Sequence, residues 1–315
     1  MGVQVINNLL KQYTPQLLLE NLKGVRSVIN KVRNTHRERL RSRKRKKFIQ
    51  SLECLTEDDI TGLLSGPFGI RKNDIVMIHT SMDMLKLNFP PVRLLNLLQD
   101  VVGEEGLLLF PSYPFTSASK FMAEGKPFDL KRTPTTAGLL SELARRTPGA
   151  LRSLHPTKSV CVIGKNARDI ISGHEKCEYP FDERSPYGSF INLNGKVIGL
   201  GVRSDEGLTI LHCIEGVLRE DFPVPRFPNT YYNWECIDYS GKAVSVNVIA
   251  YHYRGKPDYR RYMENYFPDD ICYDFEEKRR PFFVCQSKLF LDFGVKLARQ
   301  GITWYTFPER GVEEK

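Results

Sequence analysis

His212 and Glu215 lie three positions apart in this 315-residue chain. On a helix such a pair projects from one face. A carboxylate beside an imidazole fixes its tautomer and stabilises the imidazolium, which a general base requires. The same spacing also occurs as an ordinary charge pair on solvated helix surfaces. Here Leu208, Ile210, Leu211, Ile214 and Leu218 flank the pair. Residues 208–218 therefore read as a partly buried helix, which makes the pair a better general-base candidate than a surface one, although on the residues alone the ordinary pairing stays the commoner reading. Cys213, one position along, points about 100° away from His212 and is a poor candidate for an acyl-carrying nucleophile.

Two further histidines sit where chemistry is done. His79 closes the apolar stretch 74–79, immediately before Thr80 and Ser81. His155 lies in the turn Arg152-Ser-Leu-His-Pro156, where the proline pushes its predecessor out of the α region. A histidine at a strand end or in a His-Pro turn is also commonly a packing or turn residue. Other chemistries lack their residues. The seven cysteines are scattered, with no C-x-x-C pair, and no H-E-x-x-H helix occurs, so no metal site is expected. The phosphate-cradling G-x-x-x-x-G-K-[ST] and G-x-G-x-x-G loops and the G-x-S-x-G elbow are missing as well.

Short apolar runs alternate with amphipathic segments from Thr56 onward, the pattern of an α/β core. Strands are expected at 74–79, 106–110, 159–163, 196–200 and 244–253. Helices are expected from the Thr56 cap, at 91–102, 136–146 and 208–218, and at the C-terminal stretch 287–299. With no repeat or low-complexity linker, residues 51–315 read as one domain.

The formal charge of +9 is unevenly spread: residues 1–50 hold 13 Lys and Arg against Glu20 and Glu38, whereas the other 33 basic and 35 acidic residues nearly balance. Thr14-Pro15 starts a helix whose stripe Leu18, Leu22, Val25, Ile29 and Val32 leads into the basic run 37–47. This basic amphipathic extension suits an anionic membrane surface. Packing on its own domain or on a second copy of the chain is the plain alternative, and nucleic acid the less favoured partner. No apolar run of 18 residues and no signal peptide is seen, so the expectation is a cytoplasmic protein, with peripheral attachment at the inner membrane face as an option.

Taken together, the blocks Ile78-His79-Thr-Ser81-Met, Pro148-Gly-Ala-Leu-Arg-Ser-Leu-His-Pro156, Lys196-Val-Ile-Gly-Leu-Gly201 and Thr209-Ile-Leu-His-Cys-Ile-Glu215 resemble the aminoglycoside 3-N-acetyltransferase family over roughly residues 55–310. The resemblance implies an α/β fold with a central mixed sheet flanked by helices, acetyl-CoA as co-substrate, and an amine on a sugar-like acceptor. It makes His212 the base with Glu215 orienting it. It assigns His79, Thr80 and Ser81 to acetyl-CoA or the oxyanion, and His155 and Glu206 to the acceptor pocket. The near-neutral core and basic arm admit an aminoglycoside acceptor or a nucleotide- or lipid-linked amino sugar of surface polysaccharide. Another acyl-CoA, a hydroxyl acceptor, or a binding protein on a degenerate scaffold are the rival readings.

Overall fold

Alternation along two strands divides the interior into two layers. In β1 (Ile75–Thr80) Val76 and Ile78 face one core while Met77 faces another; in β2 (Leu107–Pro111) Leu108 and Phe110 oppose Leu107 and Leu109. This period of two puts successive side chains on opposite faces of a sheet, so both faces must be covered. The computed structural model describes residues 36, 37, 39–114, 125–227, 230–250 and 253–307.

The helices of the second unit, which begins at Glu53, are α1 (Glu57–Ser65), α2 (Met82–Leu85), α3 (Pro91–Val102), α4 (Leu139–Arg146), α5 (Ala167–Ile171), α6 (Pro186–Asn192), α7 (Ser204–Gly207), α8 (His212–Leu218), α9 (Tyr259–Tyr266) and α10 (Ser287–Arg299). Its remaining strands are β3 (Phe128–Asp129), β4 (Leu151–Arg152), β5 (Val160–Ile163), β6 (Lys196–Leu200), β7 (Thr230–Ile237), β8 (Ala243–Ala250), β9 (Lys256–Pro257), β10 (Cys272–Glu277), β11 (Arg280–Gln286) and β12 (Tyr305–Thr306). Among the described residues the main sheet has the order β10-β11-β6-β1-β2-β5-β4. β1 runs parallel to β2 and β6, and the outer pairings are antiparallel. The fold is thus a mixed α/β sandwich with a large mixed sheet flanked by helices. α1, α3 and α4 cover one face, and α5, α6, α8, α9 and α10 the other. A separate sheet, β3-β7-β8, packs its own small core of Phe128, Leu130, Trp234, Cys236, Val246 and Val248.

Local signals account for several boundaries. Thr56 accepts from the Asp59 backbone N–H at 3.2 Å while Asp59 accepts from the Thr56 N–H at 2.9 Å, the reciprocal cap that starts α1. Pro91 occupies the first turn of α3, where its missing N–H costs nothing. Elsewhere the structure departs from expectation. The helix foreseen over 208–218 is split: Leu208 takes non-helical angles, Thr209–Leu211 form a 3-10 turn, and α8 starts at His212. The chain needs that irregular stretch to turn over the edge of the sheet after β6. The helix foreseen from Thr136 begins at Leu139 because Gly138, at φ 109°, cannot continue it. The strand foreseen to Tyr253 ends at Ala250, and residues 251 and 252 lie outside the described residues.

The first unit ends at Leu52. The amphipathic helix expected from Thr14 to Val32 lies outside the described residues; residues 39–51 are helical and the basic side chains of 39–47 are exposed. Among the described residues no helix is long and apolar enough to cross a membrane.

Candidate active site at the carboxyl edge of the sheet

Chain reversal at β1 creates the site. One neighbour, β2, is the next long strand in sequence, whereas the other, β6, arrives 121 residues after β1 begins. A crevice opens outside the carboxyl ends of parallel strands where such an order reverses. A cavity of about 470 Å³ occupies that position, lined by His79 and Thr80 from the end of β1, Tyr113 beyond β2, Lys158 before β5, Val202, residues 204–209, Leu211 and His212 beyond β6, and Tyr259 of α9.

His212 and Glu215 meet within α8. His212 Nδ1 lies 3.0 Å from Glu215 Oε2, and the Tyr305 hydroxyl donates to Glu215 Oε1 at 3.2 Å. The Glu215 side chain is only 3% exposed while that of His212 is 30% exposed. With Nδ1–H donating to the carboxylate, the lone pair of the imidazole resides on Nε2. Burial and the Glu215 charge both raise the Tyr305 pKa, so its hydroxyl stays a donor. Rings of Phe181, Trp304 and Tyr259 surround the imidazole at centroid distances of 5.4, 6.2 and 6.4 Å, which restricts its rotation and keeps the carboxylate dry.

The other expected residues divide. His79, Thr80 and Glu206 line the cavity, Glu206 at its exposed margin. Burial pushes the His79 imidazole down to about 3, and among the described residues its Nε2 has no hydrogen-bond partner, so His79 is a neutral group. Ser81 is absent from the lining; its backbone N–H donates to Leu200 O at 2.9 Å and ties the ends of β1 and β6 together. His155 is also absent from the lining. Its ring is fully buried and stacked on His174 at 4.4 Å, and its Nδ1 accepts from the backbone N–H groups of Thr157 at 3.3 Å and Lys158 at 3.2 Å. The proline after it turns the ring inward, so His155 shapes the turn that presents Lys158 rather than meeting the acceptor itself.

Lys158, Tyr113, Tyr259 and Tyr305 had drawn no attention in the sequence. Their nearness to His212 depends on pairings between distant segments. β5 runs antiparallel to β2, so the residues preceding Val160 arrive where β2 ends. The Lys158 ammonium lies over the rings of Tyr113 at 5.1 Å and Phe181 at 5.6 Å. Burial lowers its pKa and the Glu215 charge partly restores it. Beneath, Arg152 is 1% exposed; it donates to Thr133 O at 2.6 Å, to Ser159 Oγ at 3.1 Å and to Ser112 O, and lies 4.6 Å over the Phe128 ring. It thereby joins the small sheet to the loops carrying Tyr113 and Lys158. Six of the seven cysteines are buried, Cys213 with its thiol raised by burial, which makes it a poor nucleophile. Among the described residues no cluster of His, Cys, Asp or Glu could hold a metal.

Comparison with known proteins agrees with this geometry. The chain is 32% identical over 184 residues to aminoglycoside N(3)-acetyltransferase VII of Streptomyces paromomycinus, covering 54% of this chain and 61% of that one. It is 27% identical over 231 residues to aminoglycoside N(3)-acetyltransferase III of Serratia marcescens, covering 63% of this chain and 85% of that one. Sisomicin-bound AAC-VIa shares the fold at a TM-score of 0.67 and 21% identity, covering 80% of this chain and all of that one. AAC-IIIb in its binary complex with CoASH does so at 0.65 and 20%, covering 82% of this chain and all of that one. The sequence profile of the aminoglycoside 3-N-acetyltransferase family matches residues 77–298, more than two thirds of the sequence, and the chain belongs to that family.

Proposed function

We propose that this chain is an acetyl-CoA-dependent N-acetyltransferase that acylates an amine of an amino sugar by direct transfer, with His212 as general base. The observation that carries the reading is the array Tyr305, Glu215 and His212 set at the edge of the cavity, with a buried carboxyl group behind an imidazole whose other nitrogen faces the cavity side of the array. The names of the relatives, and the CoASH and sisomicin held by the two structural neighbours, support the same donor and acceptor classes.

His212 Nε2 removes a proton from the acceptor amine as its nitrogen bonds to the thioester carbonyl carbon. The imidazolium is stabilised by Glu215, which accepts from the Tyr305 hydroxyl, and the surrounding low dielectric strengthens that attraction. As the carbon–sulfur bond breaks, the proton held by His212 passes to the leaving thiolate, giving an acetamide and CoASH. The carbonyl oxygen gains charge on the way and needs donors; Thr80 is available on the cavity wall, whereas the Ser81 N–H is engaged by Leu200 O. The neutral His79 and the Thr80, Thr136 and Thr209 side chains suit the amide-rich pantetheine arm of acetyl-CoA.

The test is thiol release from acetyl-CoA in the presence of a panel of aminoglycosides and simple amino sugars, run beside His212→Ala. Acetamide formation by the wild type and its near-total loss in the variant are expected. A variant as active as the wild type on a true acceptor would overturn the assignment of the base.

A further inference from the structure

We propose that Lys158 binds an anionic group, a phosphate or carboxylate, carried by the amine acceptor, and so selects acidic amino sugars over polycationic ones. The inference rests on the acetyltransferase reading above and names its acceptor class.

Among the described residues that line the cavity Lys158 is the only lysine or arginine. Its ammonium faces the π surfaces of Tyr113 and Phe181 and, among the described residues, forms no salt bridge. The carboxylates nearby are committed or peripheral. Glu215 uses one oxygen for His212 and the other for Tyr305, and Asp205 accepts from Arg203 Nε at 3.1 Å. Glu206 stands at the exposed margin. A cation partly removed from water that makes no direct ion pair among the described residues is costly, and a ligand that supplies the anion recovers that cost through charge-assisted hydrogen bonds. An aminoglycoside bearing several ammonium groups meets a like charge at the same wall.

The position of the ammonium says which ligand carries the anion. The Lys158 nitrogen and the His212 imidazole both pack on Phe181, at 5.6 and 5.4 Å from its ring centre. The anion therefore sits close to the amine that His212 deprotonates. The phosphates of acetyl-CoA are separated from its thioester by the whole pantetheine arm, so they do not reach this wall. The residue is also held in place: its own backbone N–H donates to the buried His155 Nδ1 at 3.2 Å, and two aromatic rings flank its ammonium.

The experiment compares glucosamine, glucosamine 6-phosphate and kanamycin as acceptors for the wild type, Lys158→Met and Lys158→Arg. The ratio of kcat/KM for glucosamine 6-phosphate to that for glucosamine is expected to fall about tenfold in Lys158→Met and to recover in Lys158→Arg. The KM for acetyl-CoA should move less than that for the phosphorylated acceptor; a larger change in the acetyl-CoA KM would place the cation on the donor instead and overturn the proposal. An unchanged acceptor ratio would overturn it too. Thermal shift with the same sugars keeps the two readings separate. If no amine is acetylated, the acetyltransferase reading fails, while a greater stabilisation by glucosamine 6-phosphate than by glucosamine in the wild type, lost in Lys158→Met, still upholds the anion site. Equal stabilisation by both sugars overturns it.

Discussion

Tyr305 reaches Glu215 from the far end of the chain, donating its hydroxyl at 3.2 Å to the carboxylate oxygen that His212 leaves free. A strand of two residues thus supports the proposed base, carried by a helix ninety positions earlier. Tyr305→Phe removes one hydrogen bond to a charged group while leaving the ring in place. A fall of about tenfold in kcat is expected, with little change in CoA binding by thermal shift. Equal kcat values for variant and wild type would remove Tyr305 from the array.

Glu215→Gln keeps an oxygen for His212 Nδ1–H but removes the charge that stabilises the imidazolium. Its kcat is expected to drop by about a hundredfold or more, approaching the loss in His212→Ala, and the double variant should be little worse than either single one. Additive losses in this cycle would show that the two residues act separately.

Three histidines are held neutral by burial. The His79 and His174 imidazoles are pushed down to about 3 and that of His155 well below its usual range, against about 6.5 in an unfolded chain. Below about pH 6.5 the unfolded state therefore binds protons that the folded state refuses, and stability falls as pH falls. Three such groups give a limiting slope of about 4 kcal/mol per pH unit as the pH nears 5. Urea midpoints between about pH 7 and pH 5 measure it, and a flat profile would mean that these rings gain protons without unfolding.

Glycines separate packing from chain entropy. A Cβ at Gly199, in the centre of β6, would come within 2.1 Å of the buried Phe283 ring, whereas one at Gly62, on the exposed side of α1, meets nothing within 4 Å. Gly199→Ala should destabilise by about 1–3 kcal/mol, and Gly62→Ala should stabilise by up to about 1 kcal/mol. Denaturant midpoints of the two variants should move in opposite directions.

The basic arm gives a fourth kind of test. Residues 37–47 contain eight Lys and Arg, and each cation near an anionic lipid surface contributes about 1 kcal/mol. Full-length protein is expected to sediment with phosphatidylglycerol-containing vesicles at low salt and to be released by high salt. Deletion of residues 1–50 should abolish sedimentation; persistence of binding would locate the lipid contact elsewhere.

Where the determinants are local, the sequence is transparent. Pro91–Val102, Lys196–Leu200 and Ser287–Arg299 fall where apolar spacing and capping residues put them. The pairing of His212 with Glu215 is local too, being one turn of helix. The break before His212 is less visible because Thr209–Leu211 is as apolar as the helix it precedes. The hairpin of β10 and β11 lies among charged and aromatic residues without clean alternation, and no expectation covered it. Lys158 and Tyr305 were hidden for a different reason: each gains its meaning from a strand direction or a contact across many residues. His155 misled because its motif position is real while its ring turns inward onto His174.

The turn from Arg152 to Lys158 and the helix from His212 to Leu218 enter the same crevice from different parts of the chain, and Arg152 anchors the first through backbone carbonyls of Ser112 and Thr133 without touching the second. On the reading proposed above, recognition and reactivity are mounted on separate supports. A scaffold built this way can drift in what it accepts, one turn residue at a time, while the machinery that moves the proton stays undisturbed.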